Sequence, residues 1–277
     1  MIDVLQRRQR EISRWYRSLG VNRRRAEHPG PHILANSIPK SGTHLLTRCL
    51  WLLPGVEDSG LRIRGRIKPE TLDKRLNQAG GGCFIPLHLA FTPEREQLLA
   101  DLGFTMVLIT RDPRDIAVSH FHYVARQARR HRLRAYYNSL PDDSARLMTS
   151  IQGISESEWQ GQLRLGDINR RCRVYLDWAD HGACAVQFEK LIGPLGGGTR
   201  QAQHGEIRRI AAHLGMALDT ATVEYIADNV YYRKSSTFRK GIVGDWMNHM
   251  TPEHKAAFKK VAGQLLVDLG YEADEDW

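Results

Sequence analysis

The sequence predicts an α/β fold in three layers, a central parallel sheet flanked by helices. Three observations lead there. FTMVLIT (104–110) is a seven-residue run of apolar and β-branched residues between Gly103 and Arg111-Asp112-Pro113. A run that does not alternate with polar residues suits a strand covered on both faces. Shorter runs, HILANS (32–37), CFIPL (83–87) and ACAVQF (183–188), recur along the chain with helix-length segments between them. Strands alternating with helices imply right-handed crossovers and a parallel sheet, which binds ligands at the carboxyl ends of its strands.

In chain order, residues 1–20 set Ile2, Leu5, Ile12, Trp15, Tyr16 and Leu19 near one helical stripe with arginines opposite, and HPGP (28–31) ends it. Residues 1–30 therefore read as a basic amphipathic helix and linker ahead of one domain, 31–277. The strand 32–37 enters a turn, IPKSG, and then an apolar helix, 43–53. Residues 54–82 are mixed and polar. A strand at 83–87 and a helix at 93–103 lead to the strand at 104–110. Pro113 suits the first turn of the next helix, which is expected to run through RQARRHRLR (126–134). Residues 135–156 lack a pattern and are expected to form a loop. A helix over 158–180, the strand at 183–188, a loop at Gly196-Gly197-Gly198 and helices near 202–214 and 219–229 follow. Residues 231–248 show little periodicity. The last helix begins after Met250, with Thr251 as N-cap and Pro252 in its first turn.

With 277 residues, 42% hydrophobic and 26% charged, the chain suits one globular domain. Cys49, Cys83, Cys172 and Cys184 form no C-x-x-C pair, which argues against a zinc knuckle or redox dithiol and suits a reducing cytoplasm. No apolar run reaches the roughly 20 residues of a membrane span, and no apolar stretch follows the arginine-rich start as in a signal peptide. A cytoplasmic location is the expectation. The net charge of +9 is concentrated in two places. Residues 1–28 hold eight arginines against Asp3, Glu11 and Glu27, and 126–134 hold five arginines and no acid. The remainder, 27 basic and 28 acidic residues, is near neutral. Each patch is either a solvated face or a contact for an anion.

Three motifs carry chemistry. In HILANSIPKSGTHLL a turn of small residues opens a helix, so that backbone N–H groups and the helix dipole converge on one point with Lys40, Ser41 and Thr43 at its mouth. No Gly-Lys-Ser or Gly-Lys-Thr occurs, so it is not a Walker loop. In VLITRDPRDIAVSHFHY (107–123), Arg111 at a strand end and Ser119 two turns into a helix can reach one anion from two sides. In STFRKGIVGDW (236–246), Arg239 and Lys240 precede Gly241, where the lack of a Cβ lets backbone approach a ligand.

Together, PKSGT, the R-x7-S element and R-K-G-x-x-G-D-W resemble the cytosolic-type sulfotransferases that use 3′-phosphoadenosine 5′-phosphosulfate (PAPS). The resemblance runs from about His32 to the C-terminus. It implies a P-loop-like sulfotransferase fold, and an enzyme that moves a sulfuryl group from PAPS to an acceptor hydroxyl, releasing adenosine 3′,5′-bisphosphate (PAP), without metal. By the same resemblance Lys40, Ser41, Gly42, Thr43 and His44 hold the 5′-phosphosulfate, and Lys40 stabilises the leaving group. Arg111, Ser119, Arg239, Lys240 and Gly241 hold the 3′-phosphate. The general base is His88, in PLHLAF, where Ala90 replaces the family's proline. Residue types also suit His88, since an imidazole that titrates near neutrality follows a strand at its carboxyl end. His120 and His122 are its rivals.

The chain departs from the family in places. Leu45 stands where a tryptophan usually stacks on adenine, and Pro86 where a lysine is common. Met247, Thr251, Pro252 and Ala256 occupy the positions of the dimer motif K-x-x-x-T-V-x-x-x-E, so the oligomeric state stays open. A P-loop-like nucleotide or small-molecule kinase would need a Walker lysine and a magnesium-binding acid, neither of which is found. A basic anion-binding protein without catalysis would rest on the two arginine patches. Nucleic acid is not expected, because aromatic interleaving is limited to Tyr123, Tyr136 and Tyr137. The acceptor is a hydroxylated molecule, with an anionic saccharide or lipid among the candidates, and residues 1–20 offer a peripheral membrane contact.

Overall fold

Parallel pairing organises the whole chain. In the computed structural model β1 (His32–Ser37), β2 (Glu57–Asp58), β3 (Cys83–Leu87), β4 (Phe104–Thr110) and β5 (Cys184–Gln187) form one parallel sheet in the order β2-β3-β1-β4-β5. The structure describes residues 30–63, 67–78, 81–155, 157, 163–232, 239–274 and 276–277. The expected helix at 1–20 and its basic patch lie outside the described residues. The register sets Ala35 of β1 opposite Pro86 of β3 and Val107 of β4. Pro86 has no N–H to give, and it falls past the end of the two-residue β2, where β3 needs no further partner.

Side-chain alternation builds the layers. Ile33, Ala35, Val107 and Ile109 face α1 (Thr43–Leu52), together with Ile207 and Ile226 from the later helices. Leu34, Met106 and Leu108 face the opposite side, against Leu72 of α2 (Pro69–Leu76), Leu99 of α3 (Pro93–Asp101) and Trp178. Beyond β4 the chain forms α4 (Pro113–His122), α5 (Arg134–Ser139), α6 (Asp143–Gln152) and α7 (Ile168–Asp180). After β5 come α8 (Phe188–Leu191), α9 (Arg200–His213), α10 (Thr220–Asn229) and α11 (Pro252–Asp268). The N-terminus of α11 carries the expected cap, with Thr251 and His254 in a reciprocal capping box.

Four sequence expectations change. Helix α4 ends at His122 and widens into a π-helical turn, Tyr123–Gln127, so most of the arginine cluster lies outside it. Residues 135–156 are mostly helical, because Tyr137, Leu147 and Ile151 bury one face of α5 and α6 in the core. The expected start at 158 lies outside the described residues, but 163–167 are not helical and helix α7 begins at Ile168, set by Asp167, whose side chain accepts from the Arg170 N–H at 2.8 Å. The polar stretch 54–82 holds both β2 and α2. Among the described residues, no helix is long and apolar enough to cross a membrane.

Candidate active site

The turn between β1 and α1 is the first part of the site. Lys40 has φ 77°, the one positive value among the described non-glycine residues, and Gly42 follows at φ 114°. A left-handed residue with a Cβ costs about 1–2 kcal/mol, and such strain gathers at functional sites. Gly42 is required twice over, since a Cβ there would lie 2.6 Å from the Phe188 ring. No side chain caps α1. The N–H groups of Gly42, Thr43 and His44 find no partner among the described residues, as an anion cradle at a helix N-terminus requires. The Ser41 hydroxyl does not join them: it is buried and donates to the Ile109 carbonyl at 2.7 Å. Lys40 Nζ lies 4.0 Å above the Tyr123 ring. Burial, then Arg111 and Arg239, lower its pKa to about 8.

His88 stands just past the end of β3, tied to that turn. Its Nδ1 lies 2.8 Å from the Ser37 carbonyl and 3.0 Å from Ser37 Oγ, which in turn meets Thr43 Oγ1 at 2.8 Å. A carbonyl can only accept, so Nδ1 carries the proton and Nε2 keeps a lone pair. Packing around the ring and the charge of Lys40 lower its pKa, against a smaller rise from the Ser37 bond. The neutral, proton-accepting form is therefore the resting one. His44 is exposed at the first turn of α1, and packing, Lys40, Arg62 and His88 lower its pKa too.

Motifs two and three meet at a buried carboxylate. Asp115, four residues after Arg111, accepts from Arg111 Nη2 at 3.1 Å, from the Gly244 N–H at 3.0 Å and from the Trp246 N–H at 2.9 Å. Arg111 Nη2 also donates to the Ile242 carbonyl at 2.8 Å, and its guanidinium stacks 4.3 Å from the Phe188 ring. Its Nε is buried and has no partner among the described residues. The hydroxyl of Ser119, half-buried on α4, has no hydrogen-bond partner among the described residues. Arg239 and Lys240 pair with Asp245 at 2.6 and 2.8 Å. Burial alone would raise the Asp245 pKa, but Lys240 and Arg239 outweigh it and hold the carboxyl well below its usual range. Trp246 lies under the Arg114 guanidinium at 4.0 Å, and Gly241 has φ 62°. The Asp-Trp pair of motif three thus serves packing: the acid gathers the cations and the indole docks on α4.

The rival histidines face inward. His120 Nδ1 meets Ser150 Oγ at 2.9 Å, and burial above all holds its pKa well below the usual value. His122 is buried beside His249, and burial with Arg239 brings it to about 4. Sequence reasoning missed Asp115, Asp245, Tyr123, Ser37 and Phe188. The i, i+4 spacing from Arg111 could have found Asp115; Phe188 arrives from a distant strand end and carries no local signal. Among the described residues no group of three or more metal-binding side chains comes together.

The comparisons agree with this fold. The sulfotransferase domain model matches residues 30–270. No curated protein matches the sequence. Among solved structures, a mouse sulfotransferase complexed with PAP is similar at TM-score 0.62 and 21% identity, over 88% of this chain and 87% of that one. Retinol dehydratase with androsterone and PAP is similar at TM-score 0.54 and 16% identity, over 89% of this chain and 83% of that one. Its complex with retinol and PAP matches at TM-score 0.54 and 16% identity, over 89% and 84%.

Proposed function

The chain belongs to the sulfotransferase domain family, and we propose that it takes PAPS as donor and transfers the sulfuryl group to an acceptor hydroxyl with His88 as base. One observation carries the reading: Lys40 lies in the combined field of Arg111 and Arg239, so the cations of all three motifs share one neighbourhood at the start of α1. The residues fit the donor, since three backbone N–H groups at the start of α1, the buried orphan Nε of Arg111 and the Ser119 hydroxyl await acceptors of hydrogen bonds.

PAPS, when bound, supplies the sulfuryl group, whose bond to the phosphate oxygen breaks as the acceptor oxygen bonds to sulfur in line. The turn 40–44 holds the 5′ end through Lys40, Gly42, Thr43 and His44, while Ser41 shapes the turn from below. Arg111, Ser119, Arg239, Lys240 and Gly241 hold the 3′-phosphate, which requires Arg239 and Lys240 to share their charge between the ligand and Asp245. His88 Nε2 takes the acceptor proton, and the Ser37 carbonyl steadies the resulting imidazolium. Lys40 stabilises charge growing on the leaving oxygen. These roles are positioning and electrostatics, with no covalent enzyme intermediate. His120 and His122 suit the base poorly, since both are buried.

We take residues 31–277 as the catalytic domain and 1–30 as a basic extension. Four free thiols support a reducing, cytoplasmic setting. The acceptors in the retinol dehydratase complexes, androsterone and retinol, support a hydroxylated small molecule as substrate class. Calorimetry of PAP against 5′-AMP tests the donor. Micromolar binding that needs the 3′-phosphate and drops with Arg239→Ala is the expected result; PAP binding no tighter than AMP refutes it.

A further inference from the structure

The wall next to Lys40 carries more cations than acids, with Asp143 paired to Arg126 and Asp167 acting on Arg171. Tyr123, whose ring carries Lys40 Nζ at 4.0 Å, meets the His131 ring edge-on at 6.0 Å, and His131 meets His120 at 6.4 Å. Arg171 and Arg132 lie in the same neighbourhood, since both, with His131 and Lys40, act electrostatically on His120. Arg171 donates to the Ser150 carbonyl, yet among the described residues its buried Nε has no partner, nor has the buried Nη1 of Arg134. Arg129, Arg130, Arg134 and Arg171 form no ion pair with a carboxylate among the described residues, whereas Arg126 pairs with Asp143. The π-helical turn 123–127 that opens this wall is a rare geometry, frequent at functional sites. Burying guanidinium N–H groups without acceptors is costly, and a ligand anion would supply them.

We propose that the acceptor carries an anionic group near the hydroxyl to be sulfated, held by Arg171 and the arginine segment 126–134, so that the substrate class is a hydroxylated organic anion. The inference rests on the sulfotransferase reading above. It also gives the segment 126–134 a task beyond solubility, because clustered cations draw anionic substrates in and raise their local concentration.

Matched pairs test it: 4-hydroxyphenylacetate, a long-chain hydroxy fatty acid and a uronic-acid disaccharide, each against its methyl ester, with PAPS as donor. PAP binding is measured by calorimetry on the same protein samples. At least one acid is expected to exceed its ester about tenfold in kcat/KM, the scale of one charge-assisted hydrogen bond. That advantage should shrink in Arg171→Lys, in the exposed double variant Arg129→Gln/Arg130→Gln, and as salt is raised. A purely structural arginine would depress acid and ester alike, so the ratio isolates the contact and survives a partial loss of fold. If PAP binds while no acid surpasses its ester, the inference is overturned with the donor reading intact. If PAP does not bind, the donor reading falls, and the inference with it.

Discussion

Asp115→Asn probes the joint on which both motifs depend. The carboxylate is 1% exposed and accepts three hydrogen bonds, from Arg111, Gly244 and Trp246. Asparagine keeps one oxygen but turns an N–H2 toward one of these donors and leaves the Arg111 charge uncompensated. Removing one partner of a buried ion pair costs about 3–5 kcal/mol. Recovering one hydrogen bond returns about 1 kcal/mol. The expected loss is therefore about 2–4 kcal/mol, read as a lower urea midpoint at unchanged slope. PAP affinity should fall as well, by about tenfold or more, because Arg111 is no longer aimed and the 244–246 backbone is untied from α4. A midpoint within about 0.5 kcal/mol of the parent would refute the stability reasoning. A clear stability loss with unchanged PAP affinity would reduce Asp115 to scaffolding and remove Arg111 from the donor site.

Further predictions from titration and chemistry concern three residues, His88, Lys40 and His120. His88→Gln should lower turnover about a hundred- to ten-thousand-fold, the range of one lost general base, while PAP affinity stays within about twofold. The acid limb of kcat/KM should lie below pH 6.5, because packing and Lys40 lower the His88 pKa and the rate is lost as pH falls through that value. A limb above 6.5 would point to a different base. PAP affinity should be full below about pH 8 and weaken above it, as Lys40, lowered to about 8 by burial, Arg111 and Arg239, loses its proton; calorimetry in buffers of different ionisation enthalpy reads the proton uptake, and Lys40→Met should abolish it. His120, buried and neutral, has a lowered pKa, so its contribution to stability is present above pH 6.5 and lost as pH falls below it. Thermal scans between pH 8 and 5 should show that decline, and His120→Gln should make it shallower, the rest coming from His44, His88 and His122, whose pKa values are lowered too.

The fold was legible where one periodicity dominated. FTMVLIT has no polar residue to confuse its two buried faces, and β4 spans the same seven residues. The start of α11 was equally plain, since Thr251 and Pro252 mark it locally. Helices α5 and α6 were hidden because Pro141, Asp142 and Asp143 interrupt the segment, and the burial of Tyr137, Leu147 and Ile151 depends on a distant C-terminal helix. The end of α4 was hidden for another reason: arginine is a good helix former, and nothing local announces a π-helical turn. At the site, Lys40, Arg111, Arg239 and His88 could be named because each lies in a motif or at a strand end. Their supports could not, as nothing local assigns Asp115 or Asp245 a partner; the fold brings α4 against residues 242–246.

Leu45 is the place where family pattern and structure pull apart. The family usually sets a tryptophan there against adenine, but α1 turns this side chain into the core, where it is 7% exposed among Ile33, Leu46 and their neighbours. A leucine fits that space; an indole is larger by several methylenes, and overpacking a dense core costs about 1–3 kcal/mol. Leu45→Trp should thus destabilise the protein by about that amount without improving PAP affinity. If instead position 45 borders the nucleotide, the new ring would stack on adenine and add about 1–3 kcal/mol, roughly tenfold or more in affinity. Calorimetry of PAP beside a urea curve separates the two. Tighter binding with unchanged stability would mean that the helix presents this position to the ligand, and that the burial of Leu45 is what the donor displaces on entry.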